Sequence, residues 1–98
     1  MGLTERAEDR HPGVRQLVRW LEPNPRLPDL ARRQAEAIEE AAARVLEYLG
    51  DGPELTAGLR HLLEAKDCFV RQALADQEAT AASIEGRPRR KVTDNPQA

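Results

Sequence analysis

Apolar positions in this chain recur at intervals of three and four, in three blocks separated by proline and glycine. The first block is short: Pro12 sits where a helix starts, Val14, Leu17, Val18 and Leu21 follow at helical spacing, and Glu22-Pro23 ends the pattern. The run Pro23-Asn24-Pro25-Arg26-Leu27-Pro28 cannot be helical, because three prolines fix φ and remove N–H donors. From Pro28-Asp29 a second pattern runs to Leu49, and Gly50-Asp51-Gly52-Pro53 stops it and starts a third. Pro53 fits the first helical position, where its missing N–H is not needed, and Glu54 suits the positive end of the helix dipole. The third helix is expected to end between Gln77 and Ser83. Two helices of roughly 20–30 residues with a short connection predict an antiparallel helical hairpin, preceded by a short N-terminal helix. No segment alternates as a strand does, so the fold class is all-α.

The faces of these helices are thin. At about 100° per residue, the second helix collects Leu30, Ala31, Ala35, Ile38, Ala41, Ala42, Val45 and Leu49 on one side. Arg32, Glu36, Glu39, Glu40, Arg44 and Glu47 take the other. Alanines 31, 35 and 42 allow a partner helix to approach closely, at the expense of apolar area. On the third helix the apolar residues from Leu55 to Leu74 span an arc of about 140°, and Lys66 falls near its middle. A lysine there reaches out along its stem, pairs with a carboxylate, or meets a bound anion. Asp67, Arg60 and Arg71 lie along one edge of the arc, where Arg60–Glu64 and Asp67–Arg71 are also spaced as ordinary i,i+4 ion pairs.

Composition turns thin faces into an expectation of assembly. The chain has 98 residues, of which 15 are alanine and only 20 are Leu, Ile, Val or Phe. A domain this small buries only about 60–65% of its unfolded surface, so a self-contained core is marginal and homo-oligomerisation is the expected remedy. Residues 1–10 are expected to be a flexible N-terminus, 11–83 the helical hairpin domain, and 84–98 a disordered basic tail. Net charge is −2, with two acidic central segments between a near-neutral head and that tail.

Little here points to catalysis. The single cysteine, Cys68, lies two turns from His61 on one helix, about 10 Å along the axis, too far for a dyad, and is expected to pack inertly. Two histidines without metal-like spacing give no metal site, and no cofactor motif is present. No apolar run approaches the ~20 residues of a membrane span, and the charged first ten residues are not those of a signal peptide, so no membrane partner and a cytoplasmic location are expected. Arg87-Pro88-Arg89-Arg90-Lys91 is the basic cluster of the tail; it binds polyanions weakly and without sequence preference, so nucleic acid is not an expected partner. Three aromatics remain. Phe69 is expected to pack in the core, whereas Trp20 and Tyr48 suit either base stacking or an interface.

The block from Gly52 to Arg71, with Leu59-x-x-Leu62-x-Glu64-Ala65 after a Pro-Glu helix start, resembles the second helix of small bacteriophage helical-hairpin proteins. These include the anti-CBASS and anti-Thoeris sponges; His11-Pro12 and Leu27-Pro28 are similar to actinobacterial phage relatives, and the resemblance covers roughly residues 11–75. It implies a homo-oligomer, from dimer to hexamer, that works in the bacterial host cytoplasm. Such a protein sequesters cyclic nucleotide or cyclic ADP-ribose-type immune signals between protomers without cleaving them, which antagonises host defence. Charge and face geometry then nominate Lys66, Arg71 and Arg60 for phosphates, and Trp20, Tyr48 and Phe69 for the rest of the ligand. The alternative is a helical protein–protein interaction or assembly module, antitoxin-like, with no small-molecule ligand.

Overall fold

Four α-helices follow one another in the computed structural model, which describes residues 2–83: α1 (Leu3–Arg6), α2 (Pro12–Leu21), α3 (Asp29–Tyr48) and α4 (Pro53–Ser83). Among the described residues there is no strand, and no helix is long and apolar enough to cross a membrane. The basic tail expected over 84–98 lies outside the described residues.

Each long helix begins and ends where local chemistry requires. Pro12 opens α2, and His11 Nδ1 accepts from the Gly13 N–H at 2.9 Å, satisfying a donor that the helix cannot. Asp29 and Glu54 place negative charge in the first turns of α3 and α4. α3 and α4 share the most extensive contact in the molecule. Leu30 and Gln34, near the start of α3, lie around one cleft with Phe69, Gln72 and Asp76 of α4; Val45 and Leu49, at its end, lie around another with Leu55 and Leu59. Alanines 31, 35 and 42 are fully buried on α3, consistent with close approach of a neighbouring helix. With 31 residues against 20, α4 is longer than α3 by roughly 16 Å at the usual helical rise.

Val14, Val18 and Leu21 of α2 complete the core with Leu55 and Leu59 of α4 and Ala42 of α3. The core therefore sits where three helices meet. Burying one leucine there is worth about 2 kcal/mol, so a handful of side chains holds the layers together.

The flexible N-terminus expected over residues 1–10 is corrected by α1. Leu3 and Ala7 stand one turn apart and are both buried against the core. Carboxylates hold the helix start: Thr4 N–H donates to Glu22 Oε2 at 2.7 Å, and the Gly2 N–H to Glu5 Oε1 at 3.2 Å. Glu39 also accepts from Leu3, yet burial, and then the nearby Glu22 carboxylate, push its carboxyl above its ordinary value.

Arg10 joins this N-terminal layer to the far end of α3. Its Nε donates to Asp51 Oδ1 at 2.8 Å, Nη1 to the Leu46 carbonyl at 3.0 Å and Nη2 to the Leu49 carbonyl at 2.7 Å. Leu46 is in the last turn of α3 and Leu49 is the residue that follows its end, where no intrahelical donor remains. The second Asp51 oxygen accepts the His11 N–H at 2.8 Å. That backbone donor, and then the Arg10 guanidinium, hold the Asp51 carboxyl below its ordinary value.

Candidate functional site

The cations nominated from sequence lie along α4, but in different surroundings. Lys66 donates to the carbonyls of Trp20 and of Glu22, the latter at 3.2 Å. Both carbonyls belong to the C-terminal end of α2, where the helix dipole is negative and acceptors are orphaned. The lysine in the middle of an apolar arc is therefore a helix cap. Its stem is half-buried while the ammonium reaches the carbonyls that end α2. Replacing Lys66 by methionine keeps the stem's packing and removes the cap. The expected loss is about 1 kcal/mol, or about 4–8 °C in Tm, read by circular-dichroism melting. An unchanged Tm would mean that these contacts contribute nothing in solution.

Arg60 stands six residues earlier on α4, about 9 Å along the axis. It lines an open cleft of about 410 Å³ with His11, Gly52, Pro53, Thr56 and Ala57. The spacing with Glu64 produces no ion pair: Glu64 instead meets His61 Nδ1 at 3.3 Å, and Arg60 is exposed without a partner among the described residues. Arg71 likewise forgoes Asp67 and donates to Cys68 Sγ at 3.5 Å. Cys68, expected in inert packing near a buried face, is exposed.

Phe69 is the larger correction: expected in the core, it is 51% exposed. Trp20 at 58% and Tyr48 at 81% are exposed as well, which suits base stacking and an interface alike. The apolar arc of α4 is wider than the surface that α2 and α3 cover, so its edges remain in solvent. Phe69 lies one turn beyond Lys66, and Trp20 is tied to Lys66 through its carbonyl. Tyr48 ends α3, beside the start of α4. Phe69 is sixteen residues into α4, roughly 24 Å along its axis. Tyr48 and Phe69 therefore cannot hold one base-sized ligand within a single chain. The Trp20 carbonyl and Lys66 form one neighbourhood, Arg60 and its cleft a second, and Phe69 lies apart with Leu30 and Gln34 of α3.

Sequence reasoning did not find Arg10, Asp51 or Glu22, the polar residues that tie the N-terminal segment to the rest of the fold. Arg10 and Asp51 are 41 positions apart, and no periodicity links them. No protein-family model, curated protein or solved structure matches this chain.

Proposed function

We propose that the protein is a non-catalytic binder, built on an antiparallel hairpin of α3 and α4, that works as a homo-oligomer. Its ligand is a phosphate-bearing cyclic nucleotide or cyclic ADP-ribose-type signal, as in the phage sponges that the Gly52–Arg71 block resembles. In a bacterial host it would withdraw that signal from immune effectors. The observation that carries the reading is Arg60: an exposed guanidinium, unpaired among the described residues, on the wall of an open cleft. An arginine so placed binds phosphate oxygens in a fork. Arg71 is the second exposed cation on the same helix, and Trp20 supplies an exposed ring for a base.

Calorimetric titration with cyclic di- and trinucleotides and cyclic ADP-ribose isomers tests it. At least one is expected to bind, and Arg60→Ala to weaken that binding about tenfold or more, about 1.4 kcal/mol. No binding by any of them at about 100 μM protein, where ~5.5 kcal/mol suffices for detection, would overturn the reading.

The engagement of Lys66 by α2 favours a second reading, an interaction module with no small-molecule ligand. There the exposed Tyr48, Leu49 and Phe69 would be anchors for another helix rather than walls of a pocket.

A further inference from the structure

One side of the α3–α4 layer carries α1 and α2; among the described residues the other carries nothing. Arg6 of α1 lies beside Glu39, Glu40 and Ala43 of α3, and His11, just before α2, lies beside Thr56 and Arg60 of α4. Turning by about 100° per residue, the opposite side of α3 bears positions 30, 34, 37, 41, 45 and 48, none of which is charged. It starts at the exposed Leu30 and ends at Tyr48. The adjoining side of α4 bears Gly58, His61, Ala65, Phe69 and Gln72, with the carboxylates Glu54 and Asp76 at its two ends. Small residues fill the middle of this strip and large exposed apolar ones its ends. Six uncharged positions in succession along α3 are unusual on a chain in which 33% of residues are charged.

Its size fits a protein partner. From Leu30 to Tyr48 the strip is roughly 27 Å long, and two helices at ~10 Å spacing make it about 20 Å wide. That is on the order of 500 Å² of nearly flat face, approaching the ~800 Å² per side of a standard interface and at the upper range of patches left bare on monomers. A two-fold axis can stack this face on itself in two ways. One lays α3 on α3 and sets Arg33 beside Arg44 of the other copy. The other lays α3 on α4 and brings both arginines to the side where Asp76 and Glu54 edge the strip. The charges at the rim favour the second.

We infer that two copies of this chain pack through this strip, α3 of each on α4 of the other, as a four-helix core with α1 and α2 on its outside. Gly58 fits this role. Nothing lies within 4 Å of a Cβ placed on it, so the chain's own packing does not require a glycine in mid-helix, where alanine is about 1 kcal/mol better. A second backbone approaching there would. The inference rests on the assembly part of the proposed function and not on the nucleotide, so a failed ligand titration leaves it standing.

Sedimentation equilibrium of the full chain over roughly 1–100 μM is the test, with a dimer expected at twice the 10.9 kDa chain mass. Ala37 is exposed, so Ala37→Glu leaves the monomer's helicity by circular dichroism unchanged and is expected to weaken dimerisation about tenfold or more. Arg33→Glu is expected to weaken it as well, and Asp76→Arg in the same chain to restore it. A monomer at every concentration overturns the inference, whether residues 84–98 or a different protein cover the strip. So does an Ala37→Glu variant that dimerises like the parent, and a charge swap without rescue overturns the α3-on-α4 arrangement.

Discussion

Leu59→Ala is expected to cost about 3 kcal/mol of stability, within the range for a buried leucine truncated where neighbours cannot collapse. Leu59 is 1% exposed and sits in the cluster that joins α2, α3 and α4. Three helices converge on it, so none can move inward without leaving the other two. The effect is large because the core is small. Domains of this size have total stabilities near the low end of about 5–15 kcal/mol, and one such loss is a large fraction of that. Urea denaturation at fixed protein concentration, with the midpoint falling and the slope unchanged, is the measurement; holding concentration fixed removes the contribution of assembly. Leu74→Ala is the control. Leu74 lies on the same arc at the solvent edge, and its truncation is expected to cost less than about 1 kcal/mol. Equal losses at the two positions would mean that the three-helix junction is not where stability resides.

The contrast between Leu59 and Leu74 also marks what the sequence could convey. Helical periodicity and the punctuation Pro12, Glu22-Pro23, Pro28-Asp29 and Gly50-Asp51-Gly52-Pro53 placed α2, α3 and α4 close to their observed limits, because prolines and glycines act on the backbone locally. α1 was invisible for the opposite reason. Four residues show no period, and what holds them helical is Leu3 and Ala7 meeting the core and the Glu22 carboxylate meeting Thr4 N–H. Those partners come from elsewhere in the chain.

The candidate site divides in the same way. That Lys66 interrupts an apolar arc is legible from spacing alone; that its partner is the end of α2 depends on where a helix 44 to 46 positions earlier comes to rest. Phe69 and Cys68 lie on or beside the same arc, and periodicity cannot tell which part of an arc a neighbouring helix covers. The spacing offers Arg60 an i,i+4 partner in Glu64, but Glu64 also has His61 one turn away and takes the histidine. Side-chain choice between equally spaced partners is decided in three dimensions.

Arg10→Ala should be the most damaging change at a polar side chain, costing roughly 2 kcal/mol through the carbonyls of Leu46 and Leu49 alone, since hydrogen bonds from a charged donor are worth about 1.5–3 kcal/mol. These carbonyls end α3, and without the guanidinium they have no donor from their own helix. Arg10→Lys is expected to recover little. An ammonium is a point charge on a flexible stem, whereas the planar fork reaches Asp51 and both carbonyls at once. Acid should expose the same junction from its other side. The folded Asp51 carboxyl titrates below its ordinary value of 3.8, chiefly because His11 N–H donates to it and then because Arg10 does. Its contribution to stability is therefore complete above that value and is lost as pH falls through the lower, folded one. Urea midpoints at about pH 7 and about pH 3 should thus fall further in the parent than in Asp51→Asn, which has already lost the contribution at neutral pH. Arg10→Ala should lie between them, because the His11 donor survives in it. If Arg10→Lys matches the parent at both pH values, positive charge alone suffices and the three-way geometry is incidental. If it falls to the level of Arg10→Ala, the guanidinium's shape is what ties the N-terminal layer to the end of α3.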